Sequence, residues 1–252
     1  MSVEPRTSIA SIASWSSPAD STGRIAPVDP EQVERFLDAF RAYRVLPWIG
    51  GARDGSVVPE RPEWRATFAD SVADLLRAHP RLGGVHLNVE PCPSGSEDFL
   101  LLLDDVRRVL PAGKLLSVAA YPPPTILHPH REVHWEEHYF RSVADRVDQL
   151  AVMMYDTGLR HPHTYQRLMA QWTREVLAWS GRAEVLLGLP GYDDEGVGYH
   201  HPRVENLTVA IPGIHAGLAS AGEDRAGYRG IAIYCEWEMY EDEWRPLHER
   251  FL

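Results

Sequence analysis

The residues with the most chemical potential lie in one short run. His86, Asn88 and Glu90 alternate with Val85, Leu87 and Val89. A β-strand sends successive side chains to opposite faces, so this spacing puts three polar groups on one face and three aliphatic groups on the other. The polar members stand ~6–7 Å apart, two strand rises of ~3.3 Å. A carboxyl facing inward beside an amide and an imidazole is costly to bury without a purpose. From residue types alone the trio reads two ways. It is a proton-transfer site centred on Glu90, or a structural network in which His86 and Asn88 satisfy each other and Glu90 reaches solvent.

Similar polar and aromatic groups end other aliphatic runs. These ends are Trp48-Ile49-Gly50-Gly51, Tyr121-Pro122-Pro123-Pro124, Tyr155-Asp156-Thr157, Pro190-Gly191-Tyr192-Asp193-Asp194 and Tyr234-Cys235-Glu236-Trp237-Glu238. Parallel barrels collect functional side chains at the C-terminal ends of their strands. The candidate site therefore comprises Glu90, Asn88 and Tyr155, with His86, Trp48, Tyr121, Asp156, Tyr192, Tyr234, Glu236 and Trp237 around them. Asp156 has an equal alternative as the cap of the turn Asp156-Thr157-Gly158. Trp237, between Glu236 and Glu238, is an aromatic of the candidate site, or one packed ring in a solvated acidic loop.

The elements that must position these groups follow from pattern. Short apolar runs at Val45–Ile49, Gly84–Glu90, Leu115–Tyr121, Gln149–Tyr155, Glu184–Leu189 and Gly230–Tyr234 read as strands covered on both faces. Amphipathic segments at Asp29–Tyr43, Pro62–His79, Ser96–Val109, Trp135–Val147, Thr164–Ser180 and Val204–Ala219 read as helices between them. Asp29-Pro30 is a cap followed by proline at the first helical position. Strand and helix alternate, so the expected class is α/β with a parallel sheet. A weaker strand near Ser8–Trp15 raises the count to seven, one short of a (β/α)8 barrel. The expectation is one barrel domain over residues 1–252, its first strand missing or unrecognised and residues 1–28 irregular or partial.

Composition excludes several classes. The chain has 252 residues, 44% of them hydrophobic, and a formal charge of −11. That is globular composition, and its negative balance argues against a general nucleic-acid binder. No apolar run approaches the ~18–20 residues of a membrane span. The opening MSVEPRTSIASIASWSS has neither a basic start nor a continuous apolar stretch, which predicts no signal peptide and a cytoplasmic protein as written. Residues upstream of this start would reopen secretion. Cys92 and Cys235 stand far apart and read as ordinary thiols. His128, His130 and His134 have His-x-His spacing without a carboxylate or thiolate partner, so they read as polar loop surface and no metal is expected. Tyr199-His200-His201 reads as loop packing or a groove wall, Trp172 and Trp179 as core, and the sequon at Asn206 falls inside a predicted helix. No phosphate loop, dinucleotide fingerprint or Ser-His-Asp pattern is present, and no cofactor is expected.

Several of these runs, taken in order, resemble family-18 glycoside hydrolases, the chitinases and related endo-β-N-acetylglucosaminidases. Gly83-Gly84-Val85-His86-Leu87-Asn88-Val89-Glu90 aligns with that family's D-G-x-D-x-D-x-E signature. Asp148 to Asp156 resembles its D-x-x-x-V-M-x-Y-D strand, and Leu116 to Ala120 the strand between. Leu187-Gly188-Leu189-Pro190-Gly191-Tyr192 resembles its L-G-x-P-x-Y strand, and Gly230 to Tyr234 its last strand. The likeness covers about residues 45 to 240.

The resemblance implies a carbohydrate ligand and a (β/α)8 barrel. It implies Glu90 as general acid and Tyr155 as hydrogen-bond donor to a substrate acetamide whose oxygen attacks the anomeric carbon. The signature's aspartates are replaced by Gly83, His86 and Asn88. Asn88-Val89-Glu90 instead resembles the Asn-x-Glu of family-85 endo-β-N-acetylglucosaminidases, in which the Asn holds the acetamido nitrogen. Three functions follow from the residues and the resemblance together. The first is a glycosidase of β-linked N-acetylhexosamine glycans. The second is a catalytically silent carbohydrate-binding or interaction barrel. The third is a barrel enzyme of unrelated proton-transfer chemistry through His86 and Glu90. The pattern gives no oligomeric state.

Overall fold

The structure is a computed structural model. It describes residues 16–194, 196–241, 244–245 and 247, without the side chains of Ser16 and Glu236. The strand expected at Ser8–Trp15 lies outside them. Among the described residues, seven parallel strands form one sheet in sequence order. They are β1 (Ser16–Pro18), β2 (Trp48–Ala52), β3 (Gly84–Glu90), β4 (Leu115–Ala120), β5 (Gln149–Met153), β6 (Glu184–Pro190) and β7 (Tyr228–Tyr234). Helices α1 (Pro30–Ala39), α2 (Pro62–Ala78), α3 (Glu97–Val109), α4 (Glu137–Ala144), α5 (Pro162–Trp179) and α6 (Leu207–Ser220) separate them. No described helix is long and apolar enough to cross a membrane.

The sheet curls upon itself. Trp48 of β2 meets Tyr234 of β7 edge to face, with ring centroids 6.2 Å apart. No ladder joins β1 to β7 among the described residues, so this is a seven-stranded, barrel-like sheet. The register aligns Trp48, His86, Ser117, Gln149 and Glu184 in one row, with Asn88 beside Gly50 in the next. With a period of two, these residues share the inner face. The alternate residues Val85, Leu87, Val118, Leu150, Val152 and Leu187 are buried on the outer face, against the helices.

Most helix boundaries follow from local chemistry. Asp29 caps α1 by accepting from the Glu31 amide, with Pro30 next. In α3, Phe99, Leu102, Leu103 and Val106 make the buried stripe. Helix α6 lies close on α5 because a Cβ on Gly217 would sit 2.6 Å from the Thr173 side chain.

Two boundaries differ from expectation. β2 begins at Trp48, not Val45, and runs through Gly50 and Gly51. Gly50 has φ +117°, and a Cβ there would collide with the Asn88 carbonyl, so the glycine permits close strand pairing rather than a turn. Trp48 therefore stands at the start of its strand, level with His86. Asn206 is the N-cap of α6, not an interior residue: its Oδ1 accepts from the Val209 amide and its Nδ2 donates to the Pro202 carbonyl. Cys92 and Cys235 are both buried and not joined in a disulfide.

Candidate active site

The inner face of β3 opens into a cavity of about 260 Å³ whose wall includes Trp48, His86, Asn88, Glu90, Tyr155 and Tyr234. Its deeper wall is built from small side chains, among them Ala119, Ala151, Gly188 and Ala232. Barrel interiors are ordinarily filled by layers of bulky residues. Here those positions are too small to fill the space, and the cavity follows from sequence.

His86 and Asn88 do not satisfy each other. His86 Nδ1 contacts Ser117 Oγ at 2.8 Å, and Ser117 donates to Gln149 Oε1 at 3.1 Å. Because the Ser117 proton goes to Gln149, His86 Nδ1 is the donor of its own contact and Nε2 keeps its lone pair. Burial pushes the imidazole down to about 4, so the ring is neutral near pH 7.

Asn88 is left to the cavity. Its Oδ1 is buried and has no hydrogen-bond partner within the protein, while its side chain hydrogen-bonds Glu90. A carboxylate only accepts, so the amide nitrogen faces Glu90 and the oxygen is the idle atom. Burial raises the Glu90 pKa above the usual carboxylate value, and repulsion from Asp156 adds to it; the Asn88 hydrogen bond opposes both. The net effect is a carboxyl that holds its proton longer than an exposed one.

Tyr155 and Asp156 follow β5. Tyr155 stacks on Tyr234, with centroids 5.7 Å apart and planes at 14°, and meets Tyr192 edge-on at 6.2 Å. Burial, then the charge of Glu90, pushes the Tyr155 phenol well up, so it stays a donor at any ordinary pH. Asp156 adopts a left-handed φ of +57°, unusual for a residue with a side chain. It does not cap its own turn. It accepts from the Tyr192 hydroxyl at 2.5 Å. The capping falls to Glu205, which accepts from the Thr157 amide at 2.8 Å and the Gly158 amide at 3.1 Å.

The remaining candidates divide. Trp48 and Tyr234 line the cavity with the β3 trio. Trp237 is 54% exposed and edge-on to Tyr234, a rim position. Tyr192 is buried beneath the mouth, where it buttresses Tyr155 and Tyr234 and is not part of the cavity wall. Tyr121 is also off the wall: it packs edge-on against Trp135, and burial pushes its phenol up to about 12. Glu236 lies in a short 3-10 turn with Trp237 and Glu238. Its side chain lies outside the described residues.

His128 and His134 are not loop surface. Both are buried, 2.9 Å apart from Nδ1 to Nε2, and lie against Trp172. Burial lowers both to about 4. Among the described residues, no group of three His, Cys, Asp or Glu side chains is placed to hold a metal ion. Ser117 and Glu205 belong to the site region and escaped the sequence reading, whereas His200, read as loop packing or a groove wall, is packed beside Asp156 and Tyr192. Ser117 was legible from register, being inward on β4 beside an inward His86. Nothing local marked Glu205, which acts on residues nearly fifty positions away.

No protein-family model matches the sequence, and no curated protein matches it. Solved structures do. The spore cortex-lytic enzyme SleL of Bacillus cereus superposes with a TM-score of 0.65 at 13% identity, over 94% of this chain and 66% of that one. A class V chitinase from Pseudomonas fluorescens Pf-5 gives 0.62 at 14% identity, over 96% and 92%. A chitinase from Chromobacterium violaceum gives 0.62 at 14%, over 92% and 88%. The chain has the chitinase fold. The sequence motifs resemble proteins of the same kind.

Proposed function

We propose that the protein is a glycoside hydrolase that cleaves β-linked glycans containing N-acetylhexosamine, by substrate-assisted catalysis. The observation that carries this reading is the pairing of Glu90 and Asn88 in one cavity. Glu90 is a carboxyl disposed to keep its proton, and Asn88 beside it presents a buried oxygen with nothing to accept. An acetamide N–H supplies the donor that oxygen lacks.

In the proposed reaction, Tyr155 donates its hydroxyl to the acetamide carbonyl and Asn88 Oδ1 accepts its N–H, so the carbonyl oxygen is held for attack on the anomeric carbon. Glu90 gives its proton to the departing glycosidic oxygen as that bond breaks. The resulting Glu90 carboxylate then takes a proton from the water that opens the cyclic intermediate. Tyr234 and Trp237 offer ring faces to the sugar, the first in the cavity and the second on its rim. The structural neighbours, chitinases and a cortex-lytic enzyme by name, support a glycan as ligand.

The test is product analysis by mass spectrometry. Wild type and Glu90→Gln are incubated with chitin oligomers, peptidoglycan fragments and N-glycans. Cleavage by wild type alone is expected. Equal cleavage by the variant would remove Glu90 from the role. Folded wild-type protein that binds these glycans and cuts none would favour the silent carbohydrate-binding reading. That reading draws on the neutral His86 standing where the resembling family has an acid.

A further inference from the structure

His200 lies in the loop between β6 and α6, with its side chain wholly buried. Its ring stacks on Tyr192, with centroids 4.5 Å apart. Nε2 faces the Tyr192 backbone carbonyl at 3.3 Å. Nδ1 stands 3.2 Å from Asp156 Oδ1 and 3.9 Å from Glu205 Oε2, a close approach to both carboxyls without the alignment of a hydrogen bond. A carbonyl only accepts, and so does a carboxylate. Both ring nitrogens therefore face acceptors, a placement that a doubly protonated ring suits. His86 is different: it has one partnered nitrogen and a neutral ring.

The carboxyls explain why a charge is stable there. Glu205 is 1% exposed and Asp156 is partly covered. Two such groups without a cation between them would repel in a medium that screens poorly. Asp156 comes from the end of β5 and Glu205 from just ahead of α6. Tyr192 at the end of β6 and the α5 phenol Tyr165, which feels both acids, are further titratable groups near the ring, and the His201 amide donates to Glu205.

We propose that His200 is a positioning residue: as an imidazolium it bridges Asp156 and Glu205, ties the loop after β6 to the end of β5, and so holds Asp156 against Tyr192 and beside Glu90. Its effect on turnover rests on the glycosidase reading, whereas the clamp itself does not. Burial alone would disfavour the charged ring, but the Asp156 contact and the charges of Glu205 and Asp156 outweigh it and raise the pKa above 6.5. Asp156 in turn acts on Glu90 through its charge. The loop clamp thus reaches the proton donor without touching substrate.

Side-chain ¹⁵N NMR of the wild-type protein, with no substrate present, tests the charged clamp. Both His200 ring nitrogens should be predominantly protonated at pH 6.5, and Asp156→Asn should move the loss of the second proton to lower pH. A neutral His200 ring at pH 6.5 would overturn the proposal. His200→Gln then tests positioning. With chitin oligomers as substrate, kcat should fall roughly 10- to 100-fold, the scale of a misplaced catalytic group, with KM little changed. The pH profile should also lose the step that follows His200 in wild type. A folded His200→Gln with unchanged kcat and profile would refute positioning. If wild type cleaves no glycan, the glycosidase reading falls, while the NMR result still decides the clamp.

Discussion

His86 bonds across the sheet to Ser117, 2.8 Å away, and not along its own strand to Asn88. Register explains the choice. His86 and Ser117 are direct partners on adjacent parallel strands, about 5 Å apart, whereas Asn88 is two rises distant at ~6–7 Å. The lateral contact gives His86 its partner and leaves the Asn88 oxygen unpaired in the cavity. A polar row that one of its two readings made a self-contained network is divided into a half bonded within the sheet and a half left to the cavity.

This division predicts the cost of Ser117→Ala. The substitution strands the His86 Nδ1 proton and the Gln149 oxygen in a buried layer. Loss of about 1–3 kcal/mol of stability is expected from the unsatisfied groups. Urea unfolding should show a lower midpoint with an unchanged slope. A midpoint equal to wild type would mean that His86 is held by something else.

The pH profile follows from Glu90. Its pKa is raised first by burial and then by Asp156. In the proposed reaction Glu90 must be protonated, so kcat/KM should be full below that pKa and decline as pH rises through it. Asp156→Asn removes the repulsion and should bring the alkaline decline to lower pH. Asn88→Asp adds a like charge and should move it higher. Rate profiles of the three proteins on one chitin oligomer would decide this; identical alkaline limbs would exclude Glu90 as their source.

Much of this was legible in the residues, and the misses share a cause. Six of the seven strands and all six helices lie near their expected places, because short aliphatic runs and amphipathic stripes are local signals. The alternation in Val85–Glu90 located the cavity wall without any tertiary information. What escaped was long-range. Glu205 caps a turn at Thr157 and Gly158, a role that the sequence offers to Asp156 as one of two equal readings. His128 and His134 looked like surface because only tertiary packing brings Trp172 over them. The strand expected to end at Ile49 runs on through Gly50 because nothing local shows the Asn88 carbonyl that the glycine must clear.

Asn88→Ala separates chemistry from stability. The side chain leaves an oxygen unpaired in the free protein and makes a hydrogen bond to Glu90, so its removal should cost only about 0.5–1.5 kcal/mol of folding energy. Turnover should nevertheless fall about 100-fold or more, the scale of one lost oriented hydrogen bond in a reacting complex. Calorimetry and steady-state kinetics on the same preparation would show it. A large loss of melting temperature would instead make Asn88 a structural residue.

Stability should carry the imprint of His200. A histidine whose folded pKa lies above its unfolded value contributes fully below about 6.5 and loses that contribution as pH rises through the folded value. Wild type should therefore lose melting temperature on the neutral-to-alkaline side. His200→Gln should lack that decline. Parallel curves for the two proteins from pH 6 to 9 would assign the alkaline loss to other groups.

The small residues of the interior set the last expectation. Ala151 lines the deep wall of the 260 Å³ cavity, facing Ala119 in register on β4. Leucine at 151 places three more carbons in space that the protein leaves open. Filling a cavity commonly stabilises by about 0.5–2 kcal/mol, provided the added atoms meet no wall. The same atoms would occupy part of the cavity shared with Asn88 and Glu90, which the proposed reaction gives to the ligand's acyl group. Ala151→Leu should hold or raise the unfolding midpoint while weakening chitin-oligomer binding at least about tenfold, or ~1.4 kcal/mol. Titration calorimetry on both proteins measures this. Undiminished binding with a raised midpoint would show that the sugar stays on the aromatic rim and never enters the barrel, which would take Asn88 and Glu90 out of its reach.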